Sequence, residues 1–385
     1  MKKKIAVVLT SRGNYAKSKK LLGLMARSNE LSLSVVLGGS LLVEKYGKII
    51  NSFSDLKKIP VYYVPFILEG DTTDIMAKST SLAINEFVNA FSLIKPEMVI
   101  VIGDRFESLG VAIAATYMNI KLVHIEGGER SGSIDEPIRH AITKLAHLHF
   151  PCSQDAADRI ERMGEKKKYI FNVGSTSFDI LQEYRNINLN TINNMIKSKG
   201  VGNVLRIQKY KYLLFVCHPI TTEEDLENSA LLKMSTYAHI KKRPPIIWIW
   251  PNLDAGTEKI SKAMRELREQ RVENIHFFKS LKIDYFAPLL SNCGCIVGNS
   301  STGIREASYL GIPSINIGNR QNLRQRCKNT IDVKNEKDCL EEIINFQLKQ
   351  KRYKSDKTFG DGKASERILK ILLNSSPELQ KVNSY

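Results

Sequence analysis

The chain has 385 residues, 43% hydrophobic and 25% charged, which excludes a disordered chain and is long for a single core. Its formal net charge is +17, from 57 Lys and Arg against 40 Asp and Glu. Such a balance admits nucleic acid, an acidic membrane or a phosphorylated small molecule as partner. The densest basic groups, Lys2-Lys3-Lys4, Lys166-Lys167-Lys168 and Lys241-Lys242-Arg243, carry no interleaved aromatic residues, which argues against nucleic acid.

The first apolar run, residues 5–9, is too short for a signal peptide and reads as a β-strand. Further Val/Ile-rich runs lie at 33–37, 61–64, 98–102 and 122–125. A second series lies at 169–173, 212–217, 246–250, 275–278, 295–297 and 314–317. Helical patterns separate them. Continuous apolar strands alternating with helices predict parallel sheets covered on both faces. Two series predict two Rossmann-like, doubly wound α/β domains with a cleft between them as the site. We place the domains at 1–173 and 174–362, with a terminal helix over 363–385. The stretch 186–208, rich in Asn and Lys, reads as a helix-plus-loop insertion. No apolar run approaches the length that spans a membrane. Five of the six Cys lie in or beside apolar runs, which predicts buried free thiols and a reducing, cytoplasmic setting.

In doubly wound sheets ligands meet the loops after the strands. After residues 5–9 comes Thr10-Ser11-Arg12, where Arg12 can reach a phosphate. After 98–102 comes Gly103-Asp104, where Asp104 is either a helix cap or a site residue. After 122–125 comes the densest stretch of the chain, His124 to His140. It holds four carboxylates, two His, two Arg and three Gly in seventeen residues. Crowded carboxylates shift one another's pKa, and acid/base chemistry follows from that. Gly127 and Gly128 would admit close approach of a substrate to the backbone. Ser133-x-x-Glu136 resembles a capping box, while Pro137 favours Asp135 as the cap. Arg139, Thr143 and His147 share a helical spacing. His147 and His149 read as packing or hydrogen-bonding residues. The four His of 124–149 lack a metal-ligand pattern.

In the second series, His218 precedes the capping box Thr221-x-x-Glu224, a place suited to an anion. Gly298-Asn299-Ser300-Ser301 opens a helix with small residues whose N–H groups and hydroxyls can cradle a diphosphate, and Glu306 can accept from both hydroxyls of a ribose.

Together these residues resemble the hydrolysing UDP-N-acetylglucosamine 2-epimerases of sialic acid biosynthesis. The resemblance rests on Gly-Asp-Arg-Phe-Glu at 103–107, His-Ile-Glu-Gly-Gly-Glu at 124–129 and the run at 134–147. It continues through His-Pro-Ile-Thr-Thr at 218–222, Pro-Asn-Leu-Asp-Ala-Gly at 251–256, Gly-Asn-Ser-Ser at 298–301 and Asn-Ile-Gly-Asn-Arg-Gln at 316–321. It implies the GT-B fold, with the terminal helix crossing back to the first domain. It implies loss of UDP and the C2 proton to give a 2-acetamidoglucal, then hydration to N-acetylmannosamine. Asp104, Glu126 and Asp135 would be acid/base carboxylates supported by Glu136 and Arg139, with His218 at the diphosphate. Arg12, Asn252, Gly298, Ser300, Ser301, Glu306 and Arg320 would hold UDP. No metal or other cofactor is implied. The UDP-sugar is the expected small-molecule partner, with neither nucleic acid nor membrane, and a homo-oligomer, dimer or tetramer, is the expected assembly.

Non-hydrolysing relatives usually carry Thr-Glu-Arg-Pro-Glu where this chain has Asn319-Arg320-Gln321-Asn322-Leu323, which favours hydrolysis. Two positions depart from the family. Asn14 stands in Arg-Gly-Asn-Tyr where Arg-Ala-Asp-Tyr is usual, and Leu41 stands where a His is common. An apolar residue would suit a sugar lacking a hydroxyl. A UDP-linked 2,4-diacetamido-2,4,6-trideoxyhexose of the legionaminic acid pathway is therefore the alternative substrate. A GT-B glycosyltransferase is a weaker rival.

Overall fold

The structure is a computed structural model that describes residues 2–43, 59–70, 72–132, 134–202, 206–220, 230–251, 255–279, 281–333 and 338–384. The chain divides into two compact units, one of Met1–Arg130, Ile134–Ile180 and Thr358–Tyr385, the other of Ser131–Ser133 and Leu181–Lys357.

The first unit runs β1 (Lys3–Leu9), α1 (Arg12–Arg27), β2 (Leu31–Gly38), β3 (Val61–Val64), α2 (Thr73–Ile94) and β4 (Met98–Ile102). It continues with α3 (Phe106–Tyr117), β5 (Lys121–Ile125), α4 (Asp135–Leu145), β6 (Leu148–Phe150) and α5 (Gln154–Arg162). Its six strands form a parallel sheet in the order β3-β2-β1-β4-β5-β6. Alternation along each strand feeds two cores. Ile5, Val7, Leu9, Ile100 and Val123 pack with Leu21, Leu22 and Met25 of α1 on one face. Ala6, Val8, Val99, Val101 and Leu122 pack with Phe87 of α2, Val111 of α3 and Ile142 of α4 on the other. That double burial is why these strands read as unbroken apolar runs.

The chain then passes through α6 (Thr176–Tyr184) into α7 (Leu189–Ser198), β7 (Val201–Gly202), β8 (Leu213–Val216), α8 (Ala230–Ala238), β9 (Ile246–Ile249) and α9 (Thr257–Glu269). There follow β10 (Ile275–Phe278), α10 (Ile283–Asn292), β11 (Cys295–Gly298), α11 (Arg305–Leu310), β12 (Ser314–Ile317), β13 (Thr330–Val333) and α12 (Leu340–Lys349). The second sheet has the order β13-β12-β11-β8-β9-β10-β7, parallel except for β7 against β10. Phe215, Trp248 and Phe277 pack with Met234 of α8 and Met264 of α9 at its centre. The last helix, α13 (Ala364–Asn374), lies in the first unit, where Ala364, Ile368 and Leu372 join the α1 face of the core. Two doubly wound α/β units of this kind constitute the GT-B fold.

Four elements differ from the sequence expectation. The run 169–173 is not a strand of the second series. Lys167–Tyr169 is a 3-10 turn, and Ile170 makes only an isolated bridge to His149 in the first unit. The short strands β6, β7 and β13 carried too little periodicity to be expected. Five Cys are buried free thiols, as expected, and Cys339 is exposed. Burial pushes Cys217 and Cys293 up to about 12, so neither is a thiolate nucleophile at neutral pH. No helix among the described residues is long and apolar enough to cross a membrane, and no group of three or more His, Cys, Asp or Glu there could hold a metal ion.

Candidate active site

The first unit gathers carboxylates at the carboxyl ends of β4 and β5. Glu126 follows β5 and is 4% exposed. Its φ of +67 places a non-glycine residue in the left-handed region, which costs on the order of 1 kcal/mol and is held by the surrounding bonds. The Glu126 N–H donates to the Phe150 carbonyl at 3.0 Å. Its carboxylate accepts from Lys17 Nζ at 2.5 Å and from Ser175 Oγ at 3.3 Å. Lys17 sits on α1 and was not singled out in the sequence, although it lies one turn beyond Asn14 on the helix that Arg12 opens.

Asp104 follows β4. The cap position of α3 belongs to Arg105, so Asp104 is not the helix cap. Its carboxylate instead accepts from Nε of Arg139 at 2.8 Å and from Nη2 of the same side chain. Arg139 is 1% exposed and also donates Nη1 to the Glu129 carbonyl at 2.8 Å. A buried guanidinium with two oriented acceptors is a rigid clamp. One turn on, Thr143 Oγ1 meets His124 Nδ1 at 3.1 Å, and His124 Nε2 meets the Gly103 carbonyl at 2.9 Å. One face of α4 therefore holds Asp104 directly and its preceding peptide through His124.

Burial lowers His124 to about 4, against the pull of the Gly103 carbonyl. It is thus neutral at pH 7, donating to Gly103 and accepting from Thr143. The folded pKa lies below the unfolded value of about 6.5, so the unfolded chain takes the proton first. The stability this group contributes is whole above pH 6.5 and is lost as pH falls towards 4, by about 3 kcal/mol in all. Burial also lowers His140, His147 and His149, with the same sign. Thermal unfolding between pH 7 and 4.5 should therefore be steeper in pH for the wild type than for His124→Asn. Equal slopes would remove His124 from this account.

Asp135 is the first residue of α4. The cap position falls on Ile134, in helical conformation with no side-chain cap bond. The expectation that Asp135 caps the helix is therefore overturned, because Asp135 already has helical backbone. Asp135 is half-buried, and Glu136 pairs with His140 at 3.6 Å. Ser133 of the supposed capping box lies outside the described residues. Three of the carboxylates take cationic or imidazole partners. Glu126 meets Lys17, Asp104 meets Arg139 and Glu136 meets His140. The paired glycines do not make room for a ligand. A Cβ on Gly127 would meet His124 Nδ1 at 2.7 Å, and one on Gly128, at φ +77, would meet the Ala156 carbonyl at 2.4 Å. Their space is taken by the protein's own chain.

Arg12 is the first residue of α1, which Ser11 caps. Leu41 is 1% exposed inside the first unit's core, so it is not offered to a ligand as an apolar wall. His147 and His149 are hydrogen-bonded structural residues, as expected. His147 Nδ1 accepts from the Leu122 N–H at 3.0 Å, and His149 Nε2 meets Glu165 at 3.1 Å.

The second unit assembles the other candidates at the ends of β8, β11 and β12. Asn299 is the organising residue, and the sequence reading did not give it a role. Its Oδ1 accepts from the His218 N–H at 2.8 Å and its Nδ2 donates to the His218 carbonyl at 2.7 Å. The Asn299 carbonyl accepts from Arg320 Nη1 at 3.3 Å and from Gln321 Nε2 at 3.1 Å. One residue thereby ties three strand ends together. Gly298, at φ +139, admits β8 so closely that a Cβ would lie 2.0 Å from the Val216 carbonyl. Its glycine is demanded by strand packing. Ser300 caps the 3-10 turn Ser301–Gly303, and the buried Glu306 lies in the first turn of α11 beside Arg305. Asn252 and the box Thr221-x-x-Glu224 lie outside the described residues.

A family described as UDP-N-acetylglucosamine 2-epimerase matches residues 24–373 of the chain. The UDP-N,N'-diacetylbacillosamine 2-epimerase (hydrolyzing) of Legionella pneumophila is 32% identical, a match covering 100% of this chain and 100% of that protein. The UDP-N-acetylglucosamine 2-epimerase of Neisseria meningitidis serogroup B is 30% identical, across 99% of this chain and 97% of that protein. Among solved structures, a UDP-GlcNAc 2-epimerase of Methanocaldococcus jannaschii in complex with UDP-GlcNAc and UDP superposes with a TM-score of 0.78. That match covers 97% of this chain and 100% of the other at 21% identity, and is a likeness of fold.

Proposed function

Because the chain belongs to the UDP-N-acetylglucosamine 2-epimerase family, we propose that it is a hydrolysing 2-epimerase of a UDP-linked 2-acetamido sugar. Its preferred substrate in this reading is a UDP-2,4-diacetamido-2,4,6-trideoxyhexose rather than UDP-N-acetylglucosamine. The observation that carries the preference is the end-to-end match to the Legionella relative, whose name specifies both the diacetamido sugar and hydrolysis. UDP-N-acetylglucosamine, giving N-acetylmannosamine, is the second reading, favoured by the neisserial relative at 30% identity.

The chemistry begins with loss of the C2 proton to a carboxylate while the C1–O bond to UDP breaks, giving a 2-acetamidoglucal. Water then adds at C1 and a proton returns to the opposite face of C2. The products are UDP and a free sugar of manno configuration. Removing a weakly acidic proton needs a positioned base, which we assign to Glu126, with Asp104 and Asp135 as partner acid/base groups. Arg139 fixes Asp104, and Glu136 supports Asp135. Expelling UDP needs donors and cations at the diphosphate, a role given to His218 and Arg12, with Ser300, Ser301 and Arg320 as further contacts. Glu306 and Asn252 complete the UDP set, while Gly298 shapes the loop.

The test is product analysis in heavy water with both UDP-sugars side by side. Free UDP, free sugar and one deuterium at C2 are expected, with kcat/KM roughly tenfold or more higher for the diacetamido sugar, a difference of the size that contacts to one substituent supply. An epimer still joined to UDP would overturn hydrolysis. A kcat/KM equal or higher with UDP-N-acetylglucosamine would select the second reading.

A further inference from the structure

Asn14 is 6% exposed and makes a set of bonds that only an amide can make. Its Oδ1 accepts from Ser11 Oγ at 2.9 Å and from Thr10 Oγ1 at 3.1 Å. Its Nδ2 donates to the Ile102 carbonyl at 2.9 Å. Its backbone N–H donates to Ser11 Oγ, so the first turn of α1 closes on the same group. A carboxylate could serve the two hydroxyls but would set an oxygen against the Ile102 carbonyl.

Ile102 ends β4, two residues before Asp104. The next carbonyl, of Gly103, is held by His124 at 2.9 Å. Both carbonyls that lead into Asp104 are thus fixed by side-chain N–H groups, one reaching from α1 and one from β5. Three residues beyond Asn14 on α1, Lys17 reaches Glu126. We infer that Asn14 is a positioning residue for the acid/base site. It locks the first turn of α1 to the end of β4, so that Lys17 meets Glu126 in fixed register with Asp104. This rests on the proposed roles of Glu126 and Asp104.

The near-isosteric apolar change Asn14→Leu and the shortening Asn14→Ser both remove the bond to Ile102. Each should lower kcat about ten- to a hundredfold, the scale of one buried hydrogen bond lost with an acceptor left unsatisfied. KM and UDP affinity should change less than kcat, because the bond lost leads to Asp104 and Lys17, although Arg12 shares the same turn. Deuterium entry at C2 should fall in step with kcat. Thr10→Val, which removes one donor to Oδ1 and keeps the tie to Ile102, should hold kcat within about threefold. Should one Asn14 variant fail to fold, the other takes the same test, with thermal unfolding in the assay buffer as the check. A folded Asn14 variant with kcat within about threefold of wild type overturns the inference. So does an equal loss in Thr10→Val, or a loss carried by KM. A wild-type protein that releases no UDP from either sugar overturns the epimerase reading instead.

Discussion

Glu126→Gln is expected to lower kcat by roughly a thousandfold, within the range that general-base removal costs, while UDP affinity changes by less than about threefold. Gln has the size of Glu and keeps an oxygen for the Ser175 hydroxyl, but its amide takes no proton from carbon. Little backbone adjustment follows, because the φ of +67 is imposed by the strand end and the bond to Phe150. The groups assigned to the nucleotide stand mainly on the β8 and β11 loops, apart from Arg12, so nucleotide affinity has no direct dependence on this carboxylate. A fall in kcat matched by an equal fall in kcat/KM identifies an interaction made only in the transition state. Lys17 sharpens the reading. Its ammonium lies 2.5 Å from the Glu126 carboxylate, so a base at this position would work as half of an ion pair. Steady-state kinetics with calorimetric titration of UDP checks the claim, and a near-normal rate removes Glu126 from the mechanism.

Much of the fold was legible in the sequence, and the side-chain pairings that were not have a common physical reason. The strands at 61–64, 98–102, 275–278 and 314–317 were readable to the residue, and for 98–102 the reason is burial on both faces, which leaves an unbroken apolar run. The motifs at 103–107, 124–129 and 298–301 were enough to give the family, which the comparisons bear out. Pairing was not readable. Nothing in the spacing of Lys17 and Glu126, Asn14 and Ile102, or Asn299 and His218 brings them together, since each partnership is set by the order of strands in a sheet. The glycines show the opposite failure. Gly127, Gly128 and Gly298 looked like room for a ligand, whereas the protein's own chain fills the space. A motif tells which residues gather at a strand end, and topology decides what each of them faces.

The second large effect lies at the other end of α4. Glu165 is buried, and its carboxylate accepts from Lys144 at 2.7 Å, from Lys381 at 2.8 Å and from His149 at 3.1 Å. Burial alone would raise its pKa, but the bonds from His149, Lys144 and Lys381 prevail and hold it at about 2. Lys381 also donates to the Lys144 carbonyl at 2.6 Å and to that of Ala146, two acceptors that the end of α4 leaves free. His147 Nε2 meets the Leu379 carbonyl at 3.0 Å, and Ser384 N–H donates to Gly164 at 3.0 Å. The last ten or so residues are thus strapped across the helix that carries Arg139, with Glu165 as the central knot. Glu165→Gln leaves the part-exposed Lys144 and Lys381 without their countercharge, which, with solvent screening allowed for, should destabilise the first unit by about 1–3 kcal/mol. Its thermal midpoint should fall by roughly 6 °C, at about 2–4 °C per kcal/mol for a unit of this size. The acid limb supplies a second signature. Since the folded pKa is depressed, the stability due to Glu165 is present above about pH 4.5 and lost as pH falls towards 2. The variant, with nothing to protonate there, should lose that part of the slope while keeping the His-dependent part between pH 6.5 and 4. Limited proteolysis should find the segment after Ser375 cut sooner in the variant, because opening it no longer breaks the knot. An unchanged midpoint together with an unchanged cleavage rate would mean that the strap is held by its backbone contacts and that the ion network adds nothing.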